Sequence, residues 1–423
     1  MINHCSATSK AAAILLAALV LLATSAAERH AKPSILSPVI LMPGYGGSKL
    51  EARWNPSEAA PSKSCPRFTE WRTIWLDPSY ILPNRLECLV EMLELEMDTG
   101  TCRTRNKRGL EVRVKAPERV ENAETLTDLR VLRYDYFHQI VDHLVKTLGY
   151  KRNENIRGAP YDFRRAPNEL AGYYERLDSM VAEMIGQSGG ARVTLVCHSM
   201  GCLNALYYLH SKPQDWRDKH IRRLVSLAAP WGGSLQALRV VALGFNMGPA
   251  LEKLVDALVM SRISRSFPST YFLLPREAAF KEQPLVVTKS ESKHPQESSI
   301  FYQAKQLEDL IRVLHRKNEL QLWRVTKDLL DLGAPGVETH CLFGERQKTL
   351  SRIRFTDSFP WSEEIQHFTD GDGTVTLQSA GYCRTWIGQQ EAPVSVLSYH
   401  TSHSGMLKHG PVLKELQSIL SQP

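Results

Sequence analysis

From the middle of the chain onward, a serine, two aspartates and several histidines occur in an order that suits nucleophilic catalysis. Ser199 is the central residue of Cys-His-Ser-Met-Gly, which follows a run of β-prone apolar residues and precedes a helical pattern. A sharp turn between a strand and a helix exposes the serine hydroxyl above the carboxyl end of a sheet. Gly201 allows the close approach that such a turn requires, although Cys197 stands where glycine is usual. We therefore predict that Ser199 is a nucleophile; the alternative is an ordinary helix start after a parallel strand.

Two backbone N–H groups are candidates for binding a negatively charged oxygen next to Ser199. The first belongs to Met200, because N–H groups at a helix N-terminus attract anions. The second belongs to Tyr45, in the turn Pro-Gly-Tyr-Gly-Gly after the buried strand expected at residues 38–42. A phosphate-binding glycine loop or a plain turn is the alternative, but the Lys-Ser/Thr of a P-loop does not follow. The sequence therefore predicts an oxyanion hole formed by Tyr45 and Met200.

A carboxylate to orient the general base is expected in the loop at residues 368–375. Two aspartates compete there, Asp370 and Asp372, and glycines on both sides of Asp372 leave its backbone free to aim the carboxylate. An Asp-Gly turn or a calcium loop is the alternative, but the further acidic ligands of an EF-hand are missing. We predict that Asp372, rather than Asp370, is the acidic partner.

The general base is expected on the loop between the last strand and the last helix, which carries His400, His403 and His409. His403 lies in the middle of this loop, whereas His400 is next to the strand and His409 precedes the proline that starts the helix. His198 is adjacent to the nucleophile but cannot turn back to it, so we interpret it as a structural neighbour. The order serine, Asp372, His403 is that of α/β hydrolases, whose triad needs neither a metal nor a cofactor. We expect none here.

The elements around these residues alternate between helices and strands. Such alternation favours an α/β fold with a mostly parallel sheet covered on both faces, here the α/β-hydrolase fold. From about residue 234 to 336 we find helical patterns but no clear strand, and an insertion at this place is typical of a cap. The patterns predict helices at 134–148, 168–185 and 412–420, and strands at 224–228, 339–343 and 394–398.

The same patterns predict how the chain divides into parts. The predicted parts are a signal peptide at 1–27, a core at 38–50 and 121–233, an irregular insertion at 51–120, a cap or lid domain at 234–336, and the rest of the core at 337–423.

The insertion at 51–120 contains an apolar loop bracketed by Cys65 and Cys88. Exposed tryptophan and aliphatic side chains partition to the lipid interface, so this loop is a candidate membrane-binding subdomain. The alternative is a satellite core beneath a cap. The candidate membrane-contact residues are Trp71, Ile74, Trp75, Leu76, Ile81 and Leu82.

The N-terminus and the cysteines indicate an exported protein. Lys10, an apolar run at 11–23 and small residues up to Ala27 are typical of a secretory signal peptide. Its removal leaves seven cysteines, an odd number, so at least one thiol is unpaired or bonds another chain. We expect Cys197 and Cys202 to be buried free thiols. The remaining candidates for bridges are Cys65, Cys88, Cys341 and Cys383, with Cys102 unassigned. The formal charge of +7 is mild, and no nucleic-acid-binding module is present.

Several stretches together resemble the lecithin:cholesterol acyltransferase family, and within it the branch of lysosomal phospholipases A2. They include Thr-Ile-Trp-Leu at 73–76, Arg-Gly-Ala-Pro-Tyr-Asp-Phe-Arg at 157–164, Ala-Ala-Pro-Trp-Gly-Gly at 228–233 and Asp-Gly-Asp-Gly-Thr-Val at 370–375. The resemblance implies the same triad and oxyanion donors. It also implies bridges Cys65–Cys88 and Cys341–Cys383, a membrane-binding subdomain around the first bridge, and a lid within the cap near residues 244–249.

The expected function is that of a serine phospholipase A and O-acyltransferase, which cleaves an acyl ester of membrane glycerophospholipids through an acyl-Ser intermediate. Its partners would be a phospholipid membrane or lipoprotein surface and a lipid alcohol acceptor, in the lysosome or outside the cell. A phosphatidylcholine–sterol O-acyltransferase is the alternative, and a non-catalytic lipid-binding protein on a hydrolase scaffold is a third reading. The sequence leaves open the acyl acceptor, the sn-position, the head group and the oligomeric state.

Overall fold

The computed structural model describes residues 36–55, 65, 67–82, 84–128, 133–243, 257–289, 299–314, 317–356 and 364–422. The predicted signal peptide at 1–27 and the predicted lid near 244–249 lie outside these ranges. None of the helices within them is long and apolar enough to cross a membrane.

Strands form a central sheet and three smaller sheets. The strands are β1 Val39–Met42, β2 Leu50–Trp54, β3 Arg72–Trp75, β4 Leu95–Asp98, β5 Arg103–Asn106, β6 Leu110–Val114, β7 Ile156–Gly158, β8 Val193–His198, β9 Ile221–Leu227, β10 Val286–Lys289, β11 Ser299–Tyr302, β12 Glu338–Gly344, β13 Gln347–Phe355, β14 Glu364–Gly371 and β15 Val394–Tyr399.

Helices cover the central sheet and form many of the connections between its strands. The α-helices are α1 Leu86–Leu93, α2 Glu121–Glu124, α3 His138–Leu148, α4 Ala171–Gln187, α5 Met200–His210, α6 Gln214–His220, α7 Leu235–Leu243, α8 Ala257–Arg265, α9 Pro268–Phe272, α10 Glu277–Phe280, α11 Leu307–Val313, α12 Lys317–Thr326, α13 Leu377–Ala380 and α14 Gly410–Ser421. Short 3₁₀ helices occur at Pro78–Ile81, Pro167–Glu169, Ala304–Gln306, Gly381–Trp386 and Gly405–Leu407.

The central sheet has the strand order β15-β12-β9-β8-β1-β7, and every neighbouring pair in it is parallel. Parallel sheets are covered on both faces, so their strands are apolar runs. β1 shows this directly: Val39 and Leu41 face the cluster with α3 and α14, whereas Ile40 and Met42 face the cluster with α4 and α5. The predicted α/β-hydrolase fold is confirmed.

The segment 51–120 forms two small antiparallel sheets, with the orders β3-β2-β6 and β4-β5. It is tied to the central part of the chain by Arg164, whose side chain is fully buried. This guanidinium pairs with Asp162 at 2.7 Å and also donates to the carbonyl of Leu93 and to Asn106 Oδ1. A buried cation of this kind needs such partners, because an unpaired charge in the interior is costly.

One expectation about residues 234–336 is wrong: this segment contains strands as well as helices. Residues Val286–Lys289 and Ser299–Tyr302 are β10 and β11, which pair antiparallel with one another. Each has only four residues, and β10 also pairs with β13, which lies outside the segment. Sequence periodicity fails here because the partner that stabilises so short a strand is distant in the chain.

Three disulfides join described cysteines: Cys65–Cys88, Cys341–Cys383 and Cys197–Cys202. The first two are the bridges that the family resemblance implies. The third corrects the expectation that Cys197 and Cys202 are free thiols. The sharp turn at Ser199 brings the end of β8 back against the first turn of α5, so the two Cα atoms are 4.9 Å apart. Among the described residues, Cys102 is the free cysteine.

Candidate active site

Ser199 occupies the turn between β8 and α5, with φ 54° and ψ −130°. A positive φ is uncommon for a residue with a side chain and costs about 1–3 kcal/mol, so it persists where the surroundings enforce it. The Ser199 N–H donates to the carbonyl of Leu227 on β9, which anchors the turn to the sheet. Gly201 is required by packing, because a Cβ there would lie 2.3 Å from the carbonyl oxygen of Met42. Strand, strained turn and helix therefore expose the Ser199 hydroxyl at the carboxyl end of the sheet.

His403 lies opposite this hydroxyl, on the loop that follows β15. Its Nε2 is 2.9 Å from Ser199 Oγ, although 204 residues separate the two in sequence. The His403 main-chain N–H donates to the carbonyl of Asp372 at 2.8 Å, so the backbone of this loop is held as well. The imidazole is thus within hydrogen-bond reach of the proton that a general base would take.

Asp372 is the third residue of this hydrogen-bonded arrangement, and its Oδ2 lies 2.7 Å from His403 Nδ1. Its other oxygen, Oδ1, accepts the backbone N–H groups of Thr374 and Val375 at 2.9 and 2.7 Å. The side chain is only 1% exposed, so water does not compete for these bonds. A carboxylate on Nδ1 holds the proton there and leaves Nε2 as the acceptor.

The other candidates for the acidic partner and the base, namely Asp370, His400 and His409, contact groups away from Ser199. Asp370 Oδ1 accepts the backbone N–H groups of Arg346 and Gly371. His400 pairs with Glu345 at 3.2 Å, and His409 has a ring contact with Tyr399. Each therefore has a local partner away from Ser199.

The two predicted oxyanion donors flank the turn. Gly44, next to Tyr45, lies against the nucleophile, since a Cβ on it would be 2.7 Å from Ser199 Cβ. Met200 is the first residue of α5, where backbone N–H groups have no acceptor within the helix. In the ranges that the structure describes, neither the Tyr45 nor the Met200 N–H donates to a backbone carbonyl. Both are therefore available to bind a developing negative charge.

Comparisons with known proteins identify the family of this chain. A family model described as lecithin:cholesterol acyltransferase matches residues 70–332. The phosphatidylcholine-sterol acyltransferase of Mus musculus is 33% identical over 387 residues, which cover 90% of this chain and 85% of that protein. The lysosomal phospholipase A and acyltransferase of Homo sapiens is 34% identical over 411 residues, or 97% of this chain and 95% of that protein. The chain belongs to the lecithin:cholesterol acyltransferase family.

A solved structure supports the fold independently. A chain of the Tle4–Tli4 complex matches with a TM-score of 0.51 at 11% identity, covering 91% of this chain and 98% of that chain. At this identity the likeness concerns the fold alone.

The side chain of Tyr45 lies among other aromatic side chains. Its ring lies 5.7 Å from that of Phe163 and 6.1 Å from that of Phe267. Burial raises the pKa of its phenol to about 12, so the side chain is neutral at physiological pH. The side chain packs into an aromatic cluster, and the proposed role of Tyr45 rests on its backbone alone.

The predicted membrane-contact set of this family member needs correction. Ile74 is fully buried and Trp75 is 7% exposed, so neither is placed to touch a lipid surface. Trp75 Nε1 instead donates to the carbonyl of Gly46 at 2.8 Å, which braces the oxyanion turn. Ile74 and Trp75 are the last two residues of β3, and both are covered by residues distant in the chain, which the sequence alone could not show.

Other members of that set lie closer to solvent. Leu82 is 53% exposed, and Leu76 is partly buried. Trp71 is partly exposed, and its ring lies 4.6 Å from the Arg53 guanidinium and 4.0 Å from that of Arg113. The side chain of Ile81 is outside the described part of the molecule. Leu82 and Trp71 are therefore the described residues on which a lipid contact of this loop can rest.

Tyr136 is a residue that the sequence analysis missed. Its phenol oxygen lies 2.5 Å from His198 Nδ1 and accepts the N–H of Gly44 at 3.0 Å. It precedes α3 in a stretch with no recognised motif, so no signal in the sequence singles it out. Tertiary structure alone brings it to the site.

Proposed function

We propose that this member of the lecithin:cholesterol acyltransferase family is a serine phospholipase A and O-acyltransferase. The observation that carries the proposal is the unbroken line of hydrogen bonds from Ser199 through His403 to Asp372, at 2.9 and 2.7 Å. Its relatives are named as lysosomal phospholipase A and acyltransferase and as phosphatidylcholine-sterol acyltransferase. The substrate is a fatty acyl ester of a membrane glycerophospholipid.

In the first half of the reaction, Ser199 Oγ attacks the carbonyl carbon while His403 Nε2 takes its proton. Asp372 keeps the other imidazole proton on Nδ1 and stabilises the imidazolium that forms. The N–H groups of Tyr45 and Met200 donate to the oxyanion, and one such donor is commonly worth about a hundredfold or more in rate. The ester C–O bond then breaks, His403 protonates the leaving glycerol oxygen, and a lysophospholipid departs.

In the second half, the acyl group passes from Ser199 to an acceptor hydroxyl. His403 takes the proton of that hydroxyl as its oxygen attacks the acyl carbonyl, and returns the proton to Ser199 Oγ. Water as acceptor yields a free fatty acid, which is phospholipase A activity. A lipid alcohol as acceptor yields a new ester, which is transacylase activity.

A sterol is the competing acceptor. The two kinds of relative are 33% and 34% identical to this chain, so identity does not separate them. Met200 after the serine favours the phospholipase branch, and Cys202 after Gly201 favours the sterol acyltransferases. Product analysis decides between them.

The covalent structure supports an exported location. Three disulfides persist in an oxidising environment, in agreement with the predicted signal peptide. We place the protein in the secretory pathway, with the lysosome or the extracellular space as its destination and a phospholipid membrane or lipoprotein surface as its partner.

The test is product analysis on phosphatidylcholine liposomes that contain either a ceramide or cholesterol, at acidic and at neutral pH, beside S199A. Free fatty acid plus acylceramide would support the phospholipase and transacylase, whereas cholesteryl ester at neutral pH would support the sterol acyltransferase. A fluorophosphonate probe provides the matched control, because it should label the wild type at Ser199 and leave S199A unlabelled. A wild type that forms no product and takes no label would favour a non-catalytic lipid-binding protein.

A further inference from the structure

His198 precedes the proposed nucleophile, yet both of its ring nitrogens bond to groups other than the serine hydroxyl. Its Nε2 lies 3.2 Å from the main-chain carbonyl oxygen of His403, and its Nδ1 lies 2.5 Å from Tyr136 Oη. A carbonyl oxygen only accepts hydrogen bonds, so Nε2 carries the proton and Nδ1 accepts from the tyrosine hydroxyl. His198 is therefore a bridge between Tyr136 and the loop of His403.

Tyr136 extends this bridge to the oxyanion turn. Its oxygen accepts the N–H of Gly44 at 3.0 Å while its hydroxyl hydrogen is directed to His198. Gly44 is next to Tyr45, the proposed oxyanion donor, and lies against Ser199, since a Cβ on Gly44 would be 2.7 Å from Ser199 Cβ and 3.0 Å from the His198 carbonyl oxygen. One chain of hydrogen bonds thus runs from the oxyanion turn through two buried side chains to the loop of the general base.

Both side chains are well shielded and uncharged. His198 is 3% exposed and Tyr136 is 9% exposed. Burial, and then the nearby His403, lowers the pKa of His198 well below its usual range, while burial raises that of Tyr136. A neutral His198 matters because its ring centroid is 4.9 Å from that of His403, which becomes positively charged during catalysis. A charged neighbour at this distance would oppose that step.

We propose that Tyr136 and His198 are positioning residues, which hold the oxyanion turn and the His403 loop at a fixed distance from one another across Ser199. The His403 backbone is then fastened on both sides, by its N–H to the Asp372 carbonyl and by its C=O to His198. The inference rests on the proposed function, since it assigns these residues to the same reaction. Displacing a reacting group by about 1 Å can cost about a hundredfold in rate, so such a brace affects turnover more than substrate binding.

The first test is Y136F, which removes the shared hydroxyl and keeps the ring. The matched control is Y150F, a buried tyrosine whose hydroxyl donates to the Ser37 carbonyl at the amino end of the sheet. The readouts are kcat and KM on a soluble p-nitrophenyl ester, the rate of fluorophosphonate labelling, and thermal unfolding. We expect Y136F to lower kcat and the labelling rate about tenfold with KM little changed, and Y150F to leave both unchanged.

A second pair of variants keeps the inference testable if Y136F does not fold. In H198Q the amide N–H can still donate to the His403 carbonyl, whereas H198L has no polar group, so H198Q should retain more of kcat. Because either change breaks one chain of bonds, Y136F/H198L should cost less than the product of its two single effects.

Equal kcat for Y136F and Y150F, or equal kcat for H198Q and H198L, would overturn the brace while wild-type labelling at Ser199 still supports the proposed function. A wild type that takes no label would overturn the proposed function and the brace with it.

Discussion

Asp372 and His403 are 31 residues apart in sequence, yet they are bonded twice: through the side chains at 2.7 Å and through the Asp372 carbonyl and the His403 N–H at 2.8 Å. The second bond fixes the loop on which the imidazole is carried. A carboxylate that only orients the ring would not need it. The pair therefore sets both the tautomer and the position of the imidazole that we propose as the general base.

D372N tests this relationship. An amide at this position keeps the shape but can no longer hold the Nδ1 proton, so kcat should fall by about ten-thousandfold with the fold retained. The control is D370N, in the same loop, since Asp370 Oδ1 binds only the backbone N–H groups of Arg346 and Gly371 in the described contacts. Steady-state kinetics on a soluble ester gives both values. A large loss in D370N with D372N active would reverse the assignment.

G201A should disrupt the sharp turn between β8 and α5. The added Cβ would meet the carbonyl oxygens of Met42 and Pro43 at 2.3 and 2.5 Å, and both are backbone atoms that cannot move aside independently. We expect a loss of about 3 kcal/mol in the free energy of unfolding, measured by urea denaturation. G186A is the control, because nothing lies within 4 Å of its Cβ near the end of a helix, and it should gain about 1 kcal/mol. An unchanged G201A would mean that strand and helix are further apart than described.

Removing the Cys197–Cys202 disulfide should cost less stability than removing Cys341–Cys383. Cys197–Cys202 closes five residues and Cys341–Cys383 closes 42, which correspond to about 2 and about 4 kcal/mol in the chain-entropy account. The measurement is thermal unfolding of C197A/C202A and C341A/C383A. Alkylation of the mature protein without reduction should modify one thiol, Cys102, and labelling of Cys197 or Cys202 would contradict the third bridge.

Acid should weaken the contacts of Asp128 with Lys49, Thr73 and Lys115. Burial opposes ionisation of Asp128, but hydrogen bonds from Lys115, Lys49 and Thr73 outweigh it and lower its pKa to about 2. Since the usual value is 3.8, the stabilisation is present above about pH 4 and is lost as the pH falls through 2.

D128N should reproduce this loss at neutral pH, at about 1–2 kcal/mol, because Lys49 is 4% exposed while the carboxylate is 42% exposed and partly screened. The control E154Q breaks a pair with Lys151 in which both side chains are 69% exposed, and it should change little. Urea titrations at pH 7 and pH 3 measure both. A D128N protein that loses as much stability as the wild type on going from pH 7 to pH 3 would rule out Asp128 as the source.

Lipid contact by the 51–120 segment predicts weaker binding in L82S. Leu82 is 53% exposed, and burying such a side chain in a bilayer contributes about 2 kcal/mol, so vesicle affinity should drop about tenfold or more. I387S is the matched control, as Ile387 is 59% exposed on another part of the surface. Sedimentation with phosphatidylcholine vesicles gives both affinities. An equal loss of vesicle affinity in the two variants would mean that binding depends on the general hydrophobicity of the surface and not on this loop.

Local sequence was sufficient to predict those parts of the site that are formed by one short stretch of the chain. The apolar run of β8, the small residue at Gly201 and the following helix specify the sharp turn at Ser199, because strand, turn and helix are all determined by neighbouring residues. The glycine-rich turn at Tyr45 and the loop of Asp372 are equally local. The α/β-hydrolase fold follows from the alternation of such elements.

What the sequence left open depends on contacts between distant residues. Ile74 and Trp75 are adjacent on β3 and both are buried, because residues distant in the chain pack over this end of the strand. The closeness of Cys197 to Cys202 results from the backbone angles of Ser199, and the role of Tyr136 results from its approach to His198, 62 residues away. The sequence by itself determined which groups can react. The tertiary structure decided what holds them in place, because hydrogen bonds and packing between distant segments are formed only when the chain has folded.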